Sequence, residues 1–327
     1  MSQKEPGPRK VIVGTAMHNM FRPYPGLQTR LAELAGLVGR MAEEAAARYA
    51  DARLDIAALP EMAVNGGQKG TAAEVAYPLE GPVLDVMGAK AREHHCYIVV
   101  PLYLVDNRET GLHSNAAALL DRQGQIAGVY RKVFAVVDRG AETAEGGVTP
   151  GADFPVFDCD FGRVGIQICY DMAFDEGWEA LRRKGAELIV WPSQWPGQIH
   201  PASRALRGRC FVLSSTWRNN ASLLDPTGHL LREIREDGVF VEQIDLDYAI
   251  LGWQPTLRNG KAFDERFGTR AGYRYSEVED CGIFWSNDPA MPIAEMVHAL
   301  NLEMRAEELE RCRNVLVRLR GGPPARD

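Results

Sequence analysis

Apolar positions in the first hundred residues alternate between two rhythms. Val11 to Ala16 is a largely β-branched apolar run that predicts a strand. From Gln28 to Ala50, residues Leu31, Leu34, Ala35, Val38, Met41, Ala42 and Ala45 return at helical spacing and predict a long amphipathic helix. Leu54 to Leu59 reads as a buried strand. Pro82 to His95 reads as a helix with proline near its start, and Tyr97 to Val105 as the next strand. Hairpins then replace the alternation. Ala116–Asp121 and Ile126–Arg131 flank the turn Arg122-Gln123-Gly124. Helices are predicted at Asp175–Lys184 and Ile199–Arg209, and strands at Leu188–Trp191 and Phe211–Thr216. A meander follows over Ser222–Leu224, Leu230–Arg235 and Val239–Asp245. Such an order predicts an α/β protein with mixed sheets. Beyond about residue 250 the pattern changes. Gly252 to Ser286 has no clean period, and Ala290 to Arg320 reads as a charged helical stretch with apolar residues from Ile293 to Leu319. The expected organisation is a flexible tail over residues 1–9, a main α/β domain over 10–250, and an extension over 251–327 that packs on the core or on a partner subunit.

Composition narrows the possibilities. Of 327 residues, 46% are hydrophobic and 25% charged, the balance of a folded globular chain. A net charge of −7 and a pI of about 5.6 do not favour a nucleic-acid partner. No apolar run approaches the roughly 18–20 residues that span a bilayer, so no membrane partner is expected. Met1 to Lys10 is polar with two prolines and is not read as a secretory signal. The cysteines at 96, 159, 169, 210, 281 and 312 show no tight pairing pattern. They read as free thiols in a reducing cytoplasm. Five of them fit the ordinary role of small buried hydrophobes.

Cys169 stands apart. The apolar run Val164-Gly165-Ile166-Gln167-Ile168 delivers it to a strand end, with Tyr170-Asp171 following. Leu54–Pro60 delivers Glu61 in the same way, and Ile126–Arg131 delivers Lys132. In open α/β sheets the carboxyl ends of strands are where ligands bind. A carboxylate base, a fixed cation and a soft nucleophile are the parts of acyl transfer through a thioester. Glu61 would take the thiol proton, and Lys132 with the backbone N–H of Tyr170 would face the oxyanion. No cofactor is expected, and this chemistry needs neither histidine nor metal. The neighbours His94 and His95 would point about 100° apart on a helix, which does not suit a shared ion.

Pro60-Glu61, Tyr130-Arg131-Lys132 and Cys169-Tyr170-Asp171 resemble, in order, the three motifs of the carbon–nitrogen hydrolase (nitrilase) superfamily. Ser114-Asn115-Ala116, Asp121-Arg122-Gln123-Gly124, Pro150-Gly151, Gly185-Ala186-Glu187-Leu188, Arg204-Ala205 and Asp225-Pro226-Thr227-Gly228 continue the resemblance over roughly residues 10 to 250. It implies a four-layer α–β–β–α sandwich of two mixed sheets, a Glu–Lys–Cys triad, and a second glutamate orienting the lysine. Glu145 is the expected residue for that role, with Glu142 the alternative. Trp195 is expected at the substrate pocket. Trp191 and Trp253 are weighed for the same place against ordinary core packing. Arg204 and Arg207 could grip a substrate carboxylate.

Within the superfamily, Tyr170-Asp171 after the cysteine resembles the amidase branch, whereas nitrilases proper usually carry Trp-Glu there. The expected partner is a small carboxamide, hydrolysed to carboxylate and ammonia. Cleavage of an N-carbamoyl compound is the alternative, and a catalytically silent binding scaffold is the reading from another class. The resemblance and the C-terminal helix together imply a homo-oligomer, a dimer or larger.

Overall fold

The computed structural model describes residues 7–49, 52–137 and 139–321. Residues 1–6 of the expected tail, Ala50 of the expected first helix and residues 322–327 of the extension lie outside the described residues. Contacts divide the chain into a larger unit over residues 11–244 and a smaller one over 245–321 with 7–10.

The larger unit starts with β1 (Lys10–Met17), α1 (Leu27–Arg48), β2 (Ile56–Ala58), the short α2 (Ala72–Val75), α3 (Pro82–His94), β3 (Tyr97–Asn107), β4 (Leu112–Leu120) and β5 (Ile126–Arg131). It continues with β6 (Val156–Asp158), β7 (Arg163–Ile166), α4 (Asp175–Arg183), β8 (Leu188–Ser193), α5 (Ile199–Gly208), β9 (Phe211–Thr216), β10 (Ala221–Leu224), β11 (Leu230–Ile234) and β12 (Gly238–Asp245).

Hydrogen bonding links β12-β1-β2-β3-β4-β5 in one layer and β11-β10-β9-β8-β7-β6 in the other. The layers meet at a single register pair, Met17 with Thr216, so all twelve strands form one continuous ladder folded into a sandwich. The helices lie outside. Ile12, Ala16, Ile98, Val100 and Leu102 pack with Leu31, Leu34 and Val38 of α1 and with Val83 and Met87 of α3. The alternate residues Val11, Val13 and Val99 are just as buried. Both faces of these strands are therefore covered, as a four-layer α–β–β–α arrangement requires. On the other layer, Ile189, Trp191 and Val212 pack with Trp178 and Leu181 of α4 and Ala205 of α5. Burying one such leucine or isoleucine side chain stabilises the fold by roughly 1.5–3 kcal/mol.

Strand directions position the site. β1 is parallel to β2 and β9, β2 to β3, and β7 to β8, which is parallel to β9. β4 is antiparallel to both β3 and β5, which returns β5 to the common direction. The carboxyl ends of β2, β5, β7 and β8 thus open onto one edge.

In the smaller unit, β13 (Tyr248–Gly252), α6 (Lys261–Phe267), β14 (Ala271–Ser276) and β15 (Cys281–Ser286) build a three-stranded antiparallel sheet in the order β13-β15-β14. α7 (Ile293–Ala299) and α8 (Arg305–Leu319) follow. Phe263, Phe284, Ile293, Met296 and Val297 form its core. The stretch read as one helical run over Ala290–Arg320 is therefore two helices, broken where Asn301 takes a positive φ of 52° and Leu302 turns inward. Among the described residues no helix is long and apolar enough to cross a membrane.

Candidate active site

Glu61, Lys132, Glu145 and Cys169 line one cavity of about 440 Å³, together with Phe21, Tyr103, Val136, Gln194, Trp195 and Arg218. All ten belong to the larger unit. Trp195 is among these lining residues. Trp191 is instead fully buried core, its indole N–H donating to the carbonyl of Cys169 at 3.1 Å. Trp253 lies in the smaller unit.

Lys132 follows the last residue of β5 and is 2% exposed. A buried ammonium needs close partners, because desolvation costs several kcal/mol. It has two: Glu61 Oε1 at 3.0 Å and Glu145 Oε1 at 2.5 Å. Burial alone would pull its pKa down, but the two carboxylates outweigh burial and hold it above its ordinary value. Asn115 braces the same group, its amide donating to Glu61 Oε1 and to Glu145 Oε2, both at 2.9 Å. Its own backbone carbonyl accepts from Lys132 N at 2.8 Å. The segment after Lys132 is pinned by Gly151, whose N–H bonds the Lys132 carbonyl. A Cβ at that position would sit 2.3 Å from the Arg131 carbonyl oxygen, so only glycine fits. That contact is the physical reason for Pro150-Gly151 in the sequence.

Glu61 is 1% exposed. Its second oxygen accepts from Gln194 N at 2.9 Å, just past β8, and its backbone carbonyl accepts from the Trp217 indole at 2.6 Å. Glu145 is held by Val136 N at 2.9 Å. Glu142, the other acid weighed for this place, is exposed to solvent, and Glu145 alone of the two meets Lys132.

Cys169 opens a 3₁₀ turn over Cys169–Ala173, and its φ is +44°. Glu145 and Met62, the neighbour of Glu61, also have positive φ, 40° and 53°. Non-glycine residues held in this region cost of order 1–3 kcal/mol each and cluster where a site over-determines the backbone. Asp171 fixes the turn. One oxygen accepts from Ile168 N at 2.8 Å and from the Tyr130 hydroxyl at 2.8 Å; the other accepts from Phe134 N at 2.9 Å. One buried carboxylate thereby ties the Cys169 turn to both sides of Lys132. Burial pushes the Asp171 carboxyl up to about 6, against the pull of these three donors.

The Cys169 thiol interacts with Glu61 and with Ser193 at the end of β8. Burial, followed by the Glu61 charge, pushes the thiol up to about 12, while Lys132 and Ser193 pull it down. At neutral pH the group is a thiol, so attack on a carbonyl needs a base in contact, and Glu61 is that contact. Tyr170 follows on the turn, with its ring edge-on to Phe174 at 5.5 Å, and is not among the cavity-lining residues. Its backbone N–H remains the feature of interest.

Arg204 and Arg207 are elsewhere. Both pair with Asp175, and Arg204 also donates to the carbonyls of Met172 and Phe174. A different arginine, Arg218, reaches the cavity. Asn115 and Arg218 carry no role in the sequence reading. For Asn115 a signal exists, an amide immediately before the apolar run Ala116–Leu120 on the same predicted hairpin, since such a group is buried only with partners. For Arg218, in the polar loop after β9, no pattern points to the cavity.

A model of the carbon-nitrogen hydrolase family matches residues 22–251. The chain belongs to that family. It is 27% identical over 228 residues to a probable nitrilase of Schizosaccharomyces pombe, covering 63% of this chain and 79% of that protein. To the human omega-amidase NIT2 it is 26% identical over 196 residues, covering 53% of this chain and 70% of the other. Among solved structures, an amidase from Nesterenkonia sp. superposes with a TM-score of 0.61 at 19% identity, over 72% of this chain and 91% of that one. At that identity the superposition speaks for the fold. The carbon–nitrogen hydrolase match and the twelve-stranded sandwich cover nearly the same residues, 22–251 and 11–244.

Proposed function

We propose that this carbon–nitrogen hydrolase cleaves a small carboxamide to carboxylate and ammonia through a thioester on Cys169. The contact between the Cys169 thiol and Glu61, beside a lysine clamped by two carboxylates, carries the reading. Glu61 takes the thiol proton as sulfur attacks the carbonyl carbon. An ammonium has three N–H donors, and Glu61 and Glu145 engage two of them. The third, with the Tyr170 backbone N–H, faces the oxyanion. Collapse of the tetrahedral intermediate breaks the C–N bond, and the proton on Glu61 leaves with ammonia. A water, deprotonated by Glu61, then hydrolyses the thioester and restores the thiol. Glu145 acts through Lys132 and is its positioning residue; Trp195 forms one wall of the substrate cavity.

An amide suits this chemistry better than a nitrile, because it already carries a carbonyl oxygen for these donors to stabilise, whereas a nitrile presents a linear nitrogen. The relative named as an omega-amidase points the same way. A matched amide, N-carbamoyl compound and nitrile compared by kcat/KM, with ammonia and carbon dioxide both assayed, test the reading. The amide should be preferred by at least about tenfold, the scale on which a site separates substrates that meet or miss its polar groups. Carbon dioxide released with ammonia would move the assignment to N-carbamoyl hydrolysis, and preference for the nitrile would refute it. A binding scaffold would turn over none of the three.

The proposal includes assembly of at least two copies. α8 buries none of its residues within the chain, and Leu309, Val315, Leu316 and Leu319 on it are exposed. Light scattering should give a mass of at least twice 36.2 kDa. A stable monomer would contradict it.

A further inference from the structure

We infer that Asp171 is a positioning residue: as a carboxylate it holds the Cys169 turn and the Lys132 segment in register, and with them the two oxyanion donors. This rests on the thioester reading of the same site. The donors, the Lys132 ammonium and the Tyr170 backbone N–H, come from separate parts of the chain. Lys132 follows β5, and Tyr170 lies on the turn after β7. Asp171 bonds to both parts. Ile168 N–H, just before the turn, and the Tyr130 hydroxyl, two residues before Lys132, donate to one oxygen. Phe134 N–H, two residues after Lys132, donates to the other. A second tie runs beside the first. The Phe134 ring stacks on Phe174, just past the turn, with centroids 3.9 Å apart and planes 7° from parallel, and Phe174 meets Tyr170 edge-on.

The direction of these bonds selects the ionised form. Two of the partners are backbone N–H groups, which only donate. The third, the Tyr130 hydroxyl, accepts from Gln167 Nε2 at 3.2 Å and from Val133 N at 3.4 Å, which leaves its own O–H for Asp171. Asp171, Tyr130 and Gln167 are fully buried, so bulk solvent cannot replace a lost partner. A protonated carboxyl, or an amide in its place, sets an O–H or N–H against one of three donors. The titratable and charged groups facing the carboxyl are Tyr130 on β5 and Lys132 just past it. From α4 comes the neutral Trp178 indole, bonded to the Asp171 backbone carbonyl at 3.2 Å. Burial, which pushes this carboxyl up to about 6, brings its titration within reach of a pH profile. The carboxylate is present above that range and is lost as pH falls through it, so the clamp loosens toward acid.

The test measures kcat and KM against pH for wild type, Asp171→Asn and Tyr130→Phe. Asp171→Asn should lower kcat by about a hundredfold, the scale on which misplaced reacting groups are felt, with KM little changed. Tyr130→Phe keeps the carboxylate but removes one donor to it. The carboxyl then protonates more readily, and the acid limb of kcat should move to higher pH. An acid limb that stays in place overturns the inference. An aldehyde of the same acyl group probes the donors directly. It adds to Cys169: the S–C bond forms, the carbonyl oxygen becomes an oxyanion facing the two donors, and Glu61 takes the thiol proton. Its inhibition should weaken in Asp171→Asn by about the factor lost in kcat. A variant that loses kcat yet binds the aldehyde as tightly as wild type overturns the inference. Should Asp171→Asn not fold, the acid limb of Tyr130→Phe carries the test. If the wild-type protein hydrolyses no amide, the thioester reading fails on its own, and hydrogen exchange decides the role of Asp171. The Ile168 and Phe134 amides should be protected in wild type and both lose protection in Asp171→Asn. Amides that exchange as slowly in the variant would overturn it.

Discussion

Cys169→Ala should lower turnover by at least about four orders of magnitude, the scale seen when a nucleophile is removed from a cooperating set. Nothing near it can substitute. Ser193 interacts with the thiol, but a hydroxyl there is no replacement for sulfur already seated at the turn. The fold should persist. The backbone around Cys169 is held from outside its side chain, by the three hydrogen bonds to Asp171 and by the Trp191 indole on the Cys169 carbonyl. Alanine meets the same positive φ as cysteine, so the strain is unchanged. Circular dichroism and a thermal melt close to wild type, alongside absent ammonia release, are the expected results. Retained activity in this variant would remove the mechanism.

Lys132→Ala should be costly twice over. Removing the cation leaves Glu61 and Glu145 facing each other across a buried gap, and breaking a buried ion pair in this way costs about 3–5 kcal/mol of stability. Turnover should fall by at least about a hundredfold from loss of the oxyanion donor alone. Glu61→Gln preserves shape and removes the base, while its single oxygen can serve either the Gln194 N–H or the Lys132 and Asn115 donors but not both. It too should lose at least about a hundredfold in kcat. Because the two residues serve one proton and one oxyanion, the double variant should be barely slower than the slower single one. Losses that multiply would mean independent roles, and an unchanged melting temperature in Lys132→Ala would mean the cluster is less tightly interdependent than its burial implies.

These residues are legible in the sequence because each stands where a strand gives way to a loop, and parallel strands bring such positions to one edge. Glu61, Lys132 and Cys169 come from β2, β5 and β7, separated by 71 and 37 residues along the chain, and converge there. Glu145 is less visible. It lies in an irregular segment, where its left-handed backbone and the bond from Val136 place it, and neither leaves a periodic trace. Arg218 is not visible at all. Its guanidinium lies over the ring of Phe21, nearly two hundred residues earlier, a contact that leaves no local pattern. The smaller unit shows a different limit. Gly252 to Ser286 lacks alternation partly because glycines sit under aromatics: a Cβ on Gly272 would lie 2.4 Å from the Trp285 indole. A strand can thus carry glycine where an apolar side chain would signal it. The break between α7 and α8 escapes the helical pattern because Leu300 and Leu302 keep an apolar rhythm across it, while Asn301 turns the backbone.

The central claim is that an acyl group passes through the Cys169 sulfur. The direct measurement is mass spectrometry of enzyme acid-quenched during turnover of an amide, followed by peptide mapping. The account predicts an adduct equal to the amide less ammonia on the peptide containing Cys169, present in wild type and missing in Cys169→Ala. Turnover with the acyl group mapped to another residue, or an adduct that persists in Cys169→Ala, would contradict it.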